Sequence, residues 1–202
     1  YMAYREVFSQ YGAELSLEYW GQTIGTYFDF DGIVRDLEAQ SGRTVDRDYL
    51  SGETSRIYRR MMEDQGLRPG VVQYLTHAKE LGLSVGLASS SRTEWIEPYL
   101  IKFGIHSYFD TIITRDHVTR VKPDPDLYLT ALQELGITGQ EAIAFEDSLN
   151  GLRAAKAANL HCVIVPNEVT SHMNFEQYDL MLSSMEAMEL AEVVKRIGRQ
   201  ED

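Results

Sequence analysis

Apolar side chains recur along the chain at two spacings, and the change falls near residue 68. Over the first 66 residues the period is helical. Tyr4, Val7, Phe8 and Tyr11 stand at i, i+3, i+4 and i+7, with Gly12 placed to end the helix. Ser16 can cap a second segment holding Leu17, Tyr19, Trp20 and Ile24, and a third covers about 32–40, closed by Ser41-Gly42. A longer amphipathic stretch, 46–65, carries Tyr49, Leu50, Ile57, Tyr58, Met61 and Met62 and stops at Gly66. No strand-like alternation occurs here, so this part is expected to be a small helical unit with a modest core of its own.

Arg68-Pro69-Gly70 opens a different regime. Helical segments at 71–81, 93–103, 124–135, 149–158 and 185–197 alternate with short apolar runs at 83–88, 111–114, 142–145, 162–165 and, more weakly, 180–182. Gly82, Gly104, Gly136 and Asn159 follow four of the helices, as residues that tolerate positive φ do. Repeated β-α units with right-handed crossovers predict an α/β fold built on a doubly wound parallel sheet. The expected division is a helical domain over 1–67 and an α/β core over 68–202.

Composition narrows the functional classes. With 202 residues, 44% apolar and 25% charged, the chain is a globular domain of ordinary size, or a core with a smaller inserted domain. A formal charge of −12 argues against nucleic acid and anionic membrane as partners, since both are held by Lys/Arg surfaces. No apolar run approaches the roughly 20 residues that span a bilayer. Cys162, the single cysteine, lies in an apolar run and reads as a buried small hydrophobe; a reducing cytoplasm suits it, and a monomer is expected. The opening Tyr1-Met-Ala-Tyr-Arg5 is neither a signal peptide nor a natural start, so further residues are expected ahead of it. The five histidines show no ligand spacing. Arg56, Arg59 and Arg60 read as a solvated helix face, and Trp95, Ile96, Tyr99, Leu100 and Phe103 as helical core.

Candidate chemistry gathers where apolar strands end and helices begin, the position at which open α/β sheets bind ligands. Glu146-Asp147 stands at one such end, ahead of a helix that Ser148 or Asn150 can cap. Two readings of this pair are open: carboxylates answering the helix dipole, or oxygen ligands for a hard cation such as Mg²⁺. After 83–88 comes Ser89-Ser90-Ser91, either a phosphate cradle of hydroxyls and N–H groups or an ordinary helix cap. After 111–114 a loop leads to Lys122-Pro123, where the rigid proline can hold the ammonium toward the sheet edge. A hydroxyl, a lysine and two carboxylates at strand tips of one sheet converge on a single crevice.

In this order, Ser89, then Lys122-Pro123, then Phe145-Glu-Asp-Ser-Leu-Asn-Gly151 with Ala154-Ala155 and Ala157-Ala158, the sequence resembles the haloacid dehalogenase superfamily. It is most similar to the small phosphatases and β-phosphoglucomutase-like enzymes with a helical cap, and the resemblance spans essentially the whole chain. A receiver domain uses similar residues, but there the acidic pair precedes the Ser/Thr and Lys. The resemblance implies that Ser89, with Ser90, and Lys122 bind the transferring phosphoryl group, that Glu146 and Asp147 help hold Mg²⁺, and that 1–67 is the cap. Phosphoryl transfer depends chiefly on positioning and charge neutralisation, which such residues supply.

The same resemblance asks for an Asp-x-Asp-Gly motif closing the first strand of the core. Asp29-Phe-Asp31-Gly32 matches the letters, but Gln22–Tyr27 upstream is short, polar and interrupted by glycine. The nucleophilic aspartate is therefore expected N-terminal to Tyr1, with Asp29 and Asp31 as alternatives. The strand that carries it is central, between those ending at Ser89 and Phe145, and is expected to be missing from this sequence. Without it, unpaired backbone groups on both neighbours cost about 1–3 kcal/mol each. Either some 15–20 further residues, a strand and a turn of usual length, fill the gap, or residues 23–28 do. Positions where the related mutases place a His and an Arg carry Met2 and Phe28, which favours simple hydrolysis. The function expected is Mg²⁺-dependent hydrolysis of a small phosphate monoester through an aspartyl-phosphate. A sugar-phosphate mutase and a catalytically silent binding relative are the alternatives.

Overall fold

In the computed structural model, residues 1–198 are described, and the chain forms two compact units, Tyr1–Gly66 and Leu67–Asp202. The first unit consists of helices α1 (Met2–Gln10), α2 (Leu17–Gly21), α3 (Phe30–Ser41) and α4 (Arg47–Glu63). Their apolar stripes meet in one core, in which Val7, Phe8, Leu15, Ile33, Leu37, Leu50 and Ile57 are completely or almost completely buried. Burial of such a side chain is worth about 1.5–3 kcal/mol. Three helix starts carry side-chain caps: Ser16 accepts from Tyr19 N–H, Asp29 from Gly32 N–H, and Asp46 from the N–H groups of Asp48 and Tyr49. Each cap contributes about 1 kcal/mol. Gly42, at φ 65°, closes α3 in the left-handed conformation. Arg60 pairs with Glu6 and Arg56 with Glu53, as expected of a solvated face.

The second unit runs α5 (Val71–Glu80), β1 (Gly86–Ala88), α6 (Thr93–Lys102), β2 (Thr111–Ile113), α7 (Asp126–Leu135), β3 (Ile143–Glu146), α8 (Leu149–Ala157), β4 (His161–Ile164), β5 (Leu180–Met181) and α9 (Leu190–Gly198). All strand pairs are parallel, with Gly86 opposite Thr111, Glu146 opposite Ile164 and Val163 opposite Leu180. Both faces are covered, as a parallel sheet requires. Cys162 and Ile164 pack with Ala154 and Ala155 of α8 on one side, while Val163 and Val165 pack with Tyr74 of α5 and Val193 of α9 on the other. The small residues of α8 let that helix lie close on the sheet. Burial pushes the Cys162 thiol up to about 12, which makes it an inert core residue.

The sheet is interrupted. Among the described residues β1 pairs with β2 alone and β3 with β4, so two half-sheets, β1-β2 and β3-β4-β5, present strand edges to each other. Ala88 and Phe145, apolar and placed as if central, are only half buried. Between them lies a cleft of about 820 Å³ lined by both strands and by side chains of α5 and α7. Residues 23–28 form turns and irregular chain in the helical unit rather than a strand, which removes them as occupants of this gap.

Two further expectations are corrected. Trp95 is 49% exposed, whereas Leu100 is buried with Ile96 and Phe103 packed around it. Residues 96, 100 and 103 share one helical face, and Trp95 stands about 100° away from it. The last helix does not begin at Met185: Ser184 caps a single 3-10 turn, Met185–Ala187, and α9 starts after it.

Candidate active site

The ends of β1, β2, β3 and β4 build the site. Ser89 directly follows β1. Its N–H continues the ladder to Ile113 O at 2.8 Å, and its hydroxyl accepts from Ser91 N–H at 3.2 Å. Ser91 O in turn accepts from Arg115 N–H, and Asp116 takes Thr93 N–H at the start of α6. This last bond is the main reason that the Asp116 carboxyl lies below the usual range. The three-serine turn is therefore strapped to the segment after β2. The N–H groups of Ser89 and Ser91 are thus engaged within the protein, to Ile113 O and to the Ser89 hydroxyl.

Lys122 is buried, held by the preceding Val121 in the core and followed by a cis bond to Pro123. Its Nζ donates to Ala88 O at 2.9 Å, to Glu146 Oε1 at 2.5 Å and, more weakly, to Tyr128 Oη at 3.4 Å. The ammonium thus ties the tip of β1 to the tip of β3 across the cleft. It also lies 4.7 Å from the Tyr128 ring centroid, within cation–π range.

Glu146 is fixed from several sides. Tyr128 donates its hydroxyl proton to Oε1, the oxygen that Lys122 also bonds. Burial, reinforced by the Glu146 charge, pushes the Tyr128 phenol well above its usual value, so it stays a donor. Oε2 lies against Gly151 of α8, where a Cβ would stand 1.8 Å from it. Ser148 caps α8 by accepting Gly151 N–H at 3.0 Å, which settles the choice between Ser148 and Asn150. The glycine is required by the carboxylate packed on it.

Asp147 lies beside this cluster, partly buried, with Asn167 Nδ2 donating to its Oδ2 at 2.7 Å. Burial, and then the neighbouring Glu146 charge, raise its carboxyl above the usual value. Among the described residues no group of three or more His, Cys, Asp or Glu side chains could hold a metal ion. The pair Glu146–Asp147 fits a hard cation only as part of an oxygen shell: Glu146 is engaged with Lys122, and Asp147 is a part-buried carboxylate whose charge a cation would offset.

Of the residues expected from sequence, Lys122 and Glu146 are brought into contact, Asp147 adjoins Glu146, and Ser89 adjoins the carbonyl that Lys122 bonds. Asp29 and Asp31 belong to the helical unit and serve it: Asp29 caps α3, and Asp31 forms an ion pair with Arg47. Tyr128 and Asn167 were not legible as site residues. Asn167 follows the end of β4, so the strand-tip rule that found Glu146 also reaches it. Tyr128 gives no comparable signal, since it falls on the apolar face of α7.

A family model described as haloacid dehalogenase-like hydrolase matches residues 1–165. The chain belongs to this family. The Bacillus subtilis (strain 168) protein YhcW, provisionally named a phosphatase, is 43% identical over 99% of this chain and 90% of its own length. CbbY of Cereibacter sphaeroides is 34% identical over 90% of this chain and 83% of its own. Among solved structures, CbbY from Rhodobacter sphaeroides in complex with phosphate is 30% identical and superposes with a TM-score of 0.71, over 91% of this chain and 86% of that one. A second structure of that protein contains xylulose-(1,5)-bisphosphate. β-Phosphoglucomutase from Clostridium difficile, at 21% identity and a TM-score of 0.75 over 99% of this chain and 90% of its own, shares the fold. The chain is thus a hydrolase with the α/β core and helical unit of this family.

Proposed function

We propose that this hydrolase releases phosphate from a small phosphorylated metabolite, a phosphate monoester of carbohydrate type, in the cytoplasm and as a monomer. One observation carries the reading: a buried ammonium, Lys122, is fixed between the ends of β1 and β3, bonded to the carbonyl of Ala88, the residue before Ser89, and to Glu146 of the carboxylate pair. A single cation held by backbone and carboxylate at a strand-end crevice suits a dianionic phosphoryl group. The phosphatase name of YhcW and the phosphate and bisphosphate bound to CbbY support the same class.

In this reading Lys122 neutralises charge on the phosphoryl oxygens and Ser89 donates its hydroxyl to one of them, with Ser90 beside it. Glu146 and Asp147 would hold part of the shell of a Mg²⁺ ion, which supplies charge neutralisation when bound. The nucleophile is an aspartate at the end of a strand lying ahead of Tyr1 and seated between β1 and β3, the slot that the two free edges define. Its carboxylate oxygen attacks phosphorus, the ester P–O bond breaks, and the leaving alkoxide takes a proton from water, which the later hydrolysis of the aspartyl-phosphate returns. Water then attacks phosphorus and frees phosphate and the carboxylate. The helical unit serves as a cap that selects the leaving group. Phosphate release from a panel of sugar and polyol phosphates, with and without Mg²⁺, tests the reading. Metal-dependent turnover supports it, and Mg²⁺ binding without any turnover would instead identify a catalytically silent relative.

A further inference from the structure

Asn167 stands three residues beyond the end of β4, in a turn that is closed on itself. Its side-chain oxygen accepts from Val169 N–H at 2.8 Å and from Thr170 N–H at 3.1 Å. Its own N–H donates to Thr170 Oγ1 at 3.0 Å, and Thr170 is completely buried. The backbone oxygen of Asn167 accepts from Thr170 and Ser171 N–H groups at 3.1 and 2.8 Å. These bonds fix which way the amide faces. A flipped amide would set its NH₂ against two N–H donors and its oxygen against the Asp147 carboxylate, so repulsion on both sides selects one orientation. The turn therefore delivers one amide donor, Nδ2, to Oδ2 of Asp147 at 2.7 Å. Among the described residues nothing donates a hydrogen bond to the other oxygen, Oδ1.

The two adjacent carboxylates are thus prepared differently. Glu146 is drawn inward, with Oε1 shared by Lys122 and Tyr128 and Oε2 against Gly151. Asp147 is held by a neutral donor on one oxygen, which fixes its direction without cancelling its charge.

We propose that Asn167 is a positioning residue for the divalent cation: it orients Asp147 so that Oδ1 is presented as the ligand, while Glu146 chiefly holds Lys122. This rests on the metal reading of the Glu146–Asp147 pair. Partners of this kind, which hold a ligand rather than the metal, typically change metal affinity 10–100-fold when removed.

The experiment is Mn²⁺ titration of the purified full-length protein by calorimetry or electron paramagnetic resonance, with thermal unfolding of each metal-free variant alongside. Asn167→Ala removes both functions of the side chain. Asn167→Ser keeps a hydroxyl that can accept the turn N–H groups, more weakly, but is too short to reach Asp147. The expected result is a Kd for Mn²⁺ raised about tenfold or more in both variants. Unchanged affinity in Asn167→Ser, with or without a loss in Asn167→Ala, would show that the residue only builds its turn and would overturn the proposal. Failure of the unsubstituted protein to bind Mn²⁺ would overturn the metal reading itself, and this inference with it.

Discussion

At the scale of single residues, Glu146 is the side chain on which the site turns. Its position depends on a lysine, a tyrosine and the absence of a Cβ at residue 151. Gly151→Ala places a methyl group where Oε2 lies, so Glu146 must leave its place. A stability loss of about 1–3 kcal/mol, typical of overpacking, together with loss of turnover is expected by urea unfolding and phosphate release. Lys122→Met leaves Glu146 buried without its cation, and breaking such a pair costs about 3–5 kcal/mol. Tyr128→Phe keeps the ring beneath Lys122 but removes a hydrogen bond to a charged group, worth about 1.5–3 kcal/mol. Sequence reasoning reached Ser89, Glu146 and Asp147 because each stands at the tip of an apolar run, and Lys122 because it precedes a rigid proline in the loop after one. It passed over Tyr128, whose apolar ring on a helix face reads as core until its hydroxyl is seen to reach Glu146. Gly151 could be read as a motif letter, but the need for it is a distance and only the fold supplies that.

At the scale of elements, the open edge between β1 and β3 has the largest consequence. In a parallel strand, alternate residues direct their N–H and C=O groups to opposite edges. Ser89 N–H faces β2 and Ala88 O meets Lys122, so Gly86 and Ala88 point their backbone groups into the cleft. On β3 the oxygens of Ala142 and Glu146 bond to β4, which leaves Ile143 and Phe145 facing the cleft. If a strand seats there, these four amides should exchange with deuterium as slowly as those of β4; rapid exchange at all four would contradict a seated strand. The alternation of helices and apolar runs made the parallel sheet readable, and the polar, glycine-broken stretch 22–27 made an interior strand there implausible.

β5 gave only a weak apolar run in the sequence, and the side chain that fastens it to β4 gave none. Asp179 receives Cys162 N–H and Lys156 Nζ on one oxygen, and its own N–H bonds Cys162 O. Burial alone would raise this carboxyl, but Lys156, the Cys162 N–H and His161 outweigh it and hold it below its ordinary 3.8. A depressed carboxyl stabilises the fold above the unfolded-state value and loses that contribution as pH falls through the folded one. The stability difference between the unsubstituted protein and Asp179→Asn should therefore be full above about pH 5 and shrink as pH falls through 3.8 toward the lower folded-state value, measured by urea unfolding across that range.

At the scale of the whole molecule, a chain of net charge −12 binds an anion only where its own cations are concentrated and shielded. Lys122 is a buried cation between the two half-sheets, paired with Glu146. The division into a helical and an α/β unit is legible from sequence to the extent that hydrophobic period changes near residue 68. Motif order carries the family resemblance in the sequence, and the family-model match over residues 1–165 shows the membership independently. The central claim, that the Lys122 crevice is a metal-dependent phosphatase site, is tested most directly by measuring phosphate release from a sugar phosphate by the unsubstituted protein and by Lys122→Met, each with Mg²⁺ and with a chelator. Turnover confined to the unsubstituted protein with Mg²⁺ is the predicted result; release that persists in Lys122→Met, or that is indifferent to the chelator, would contradict it.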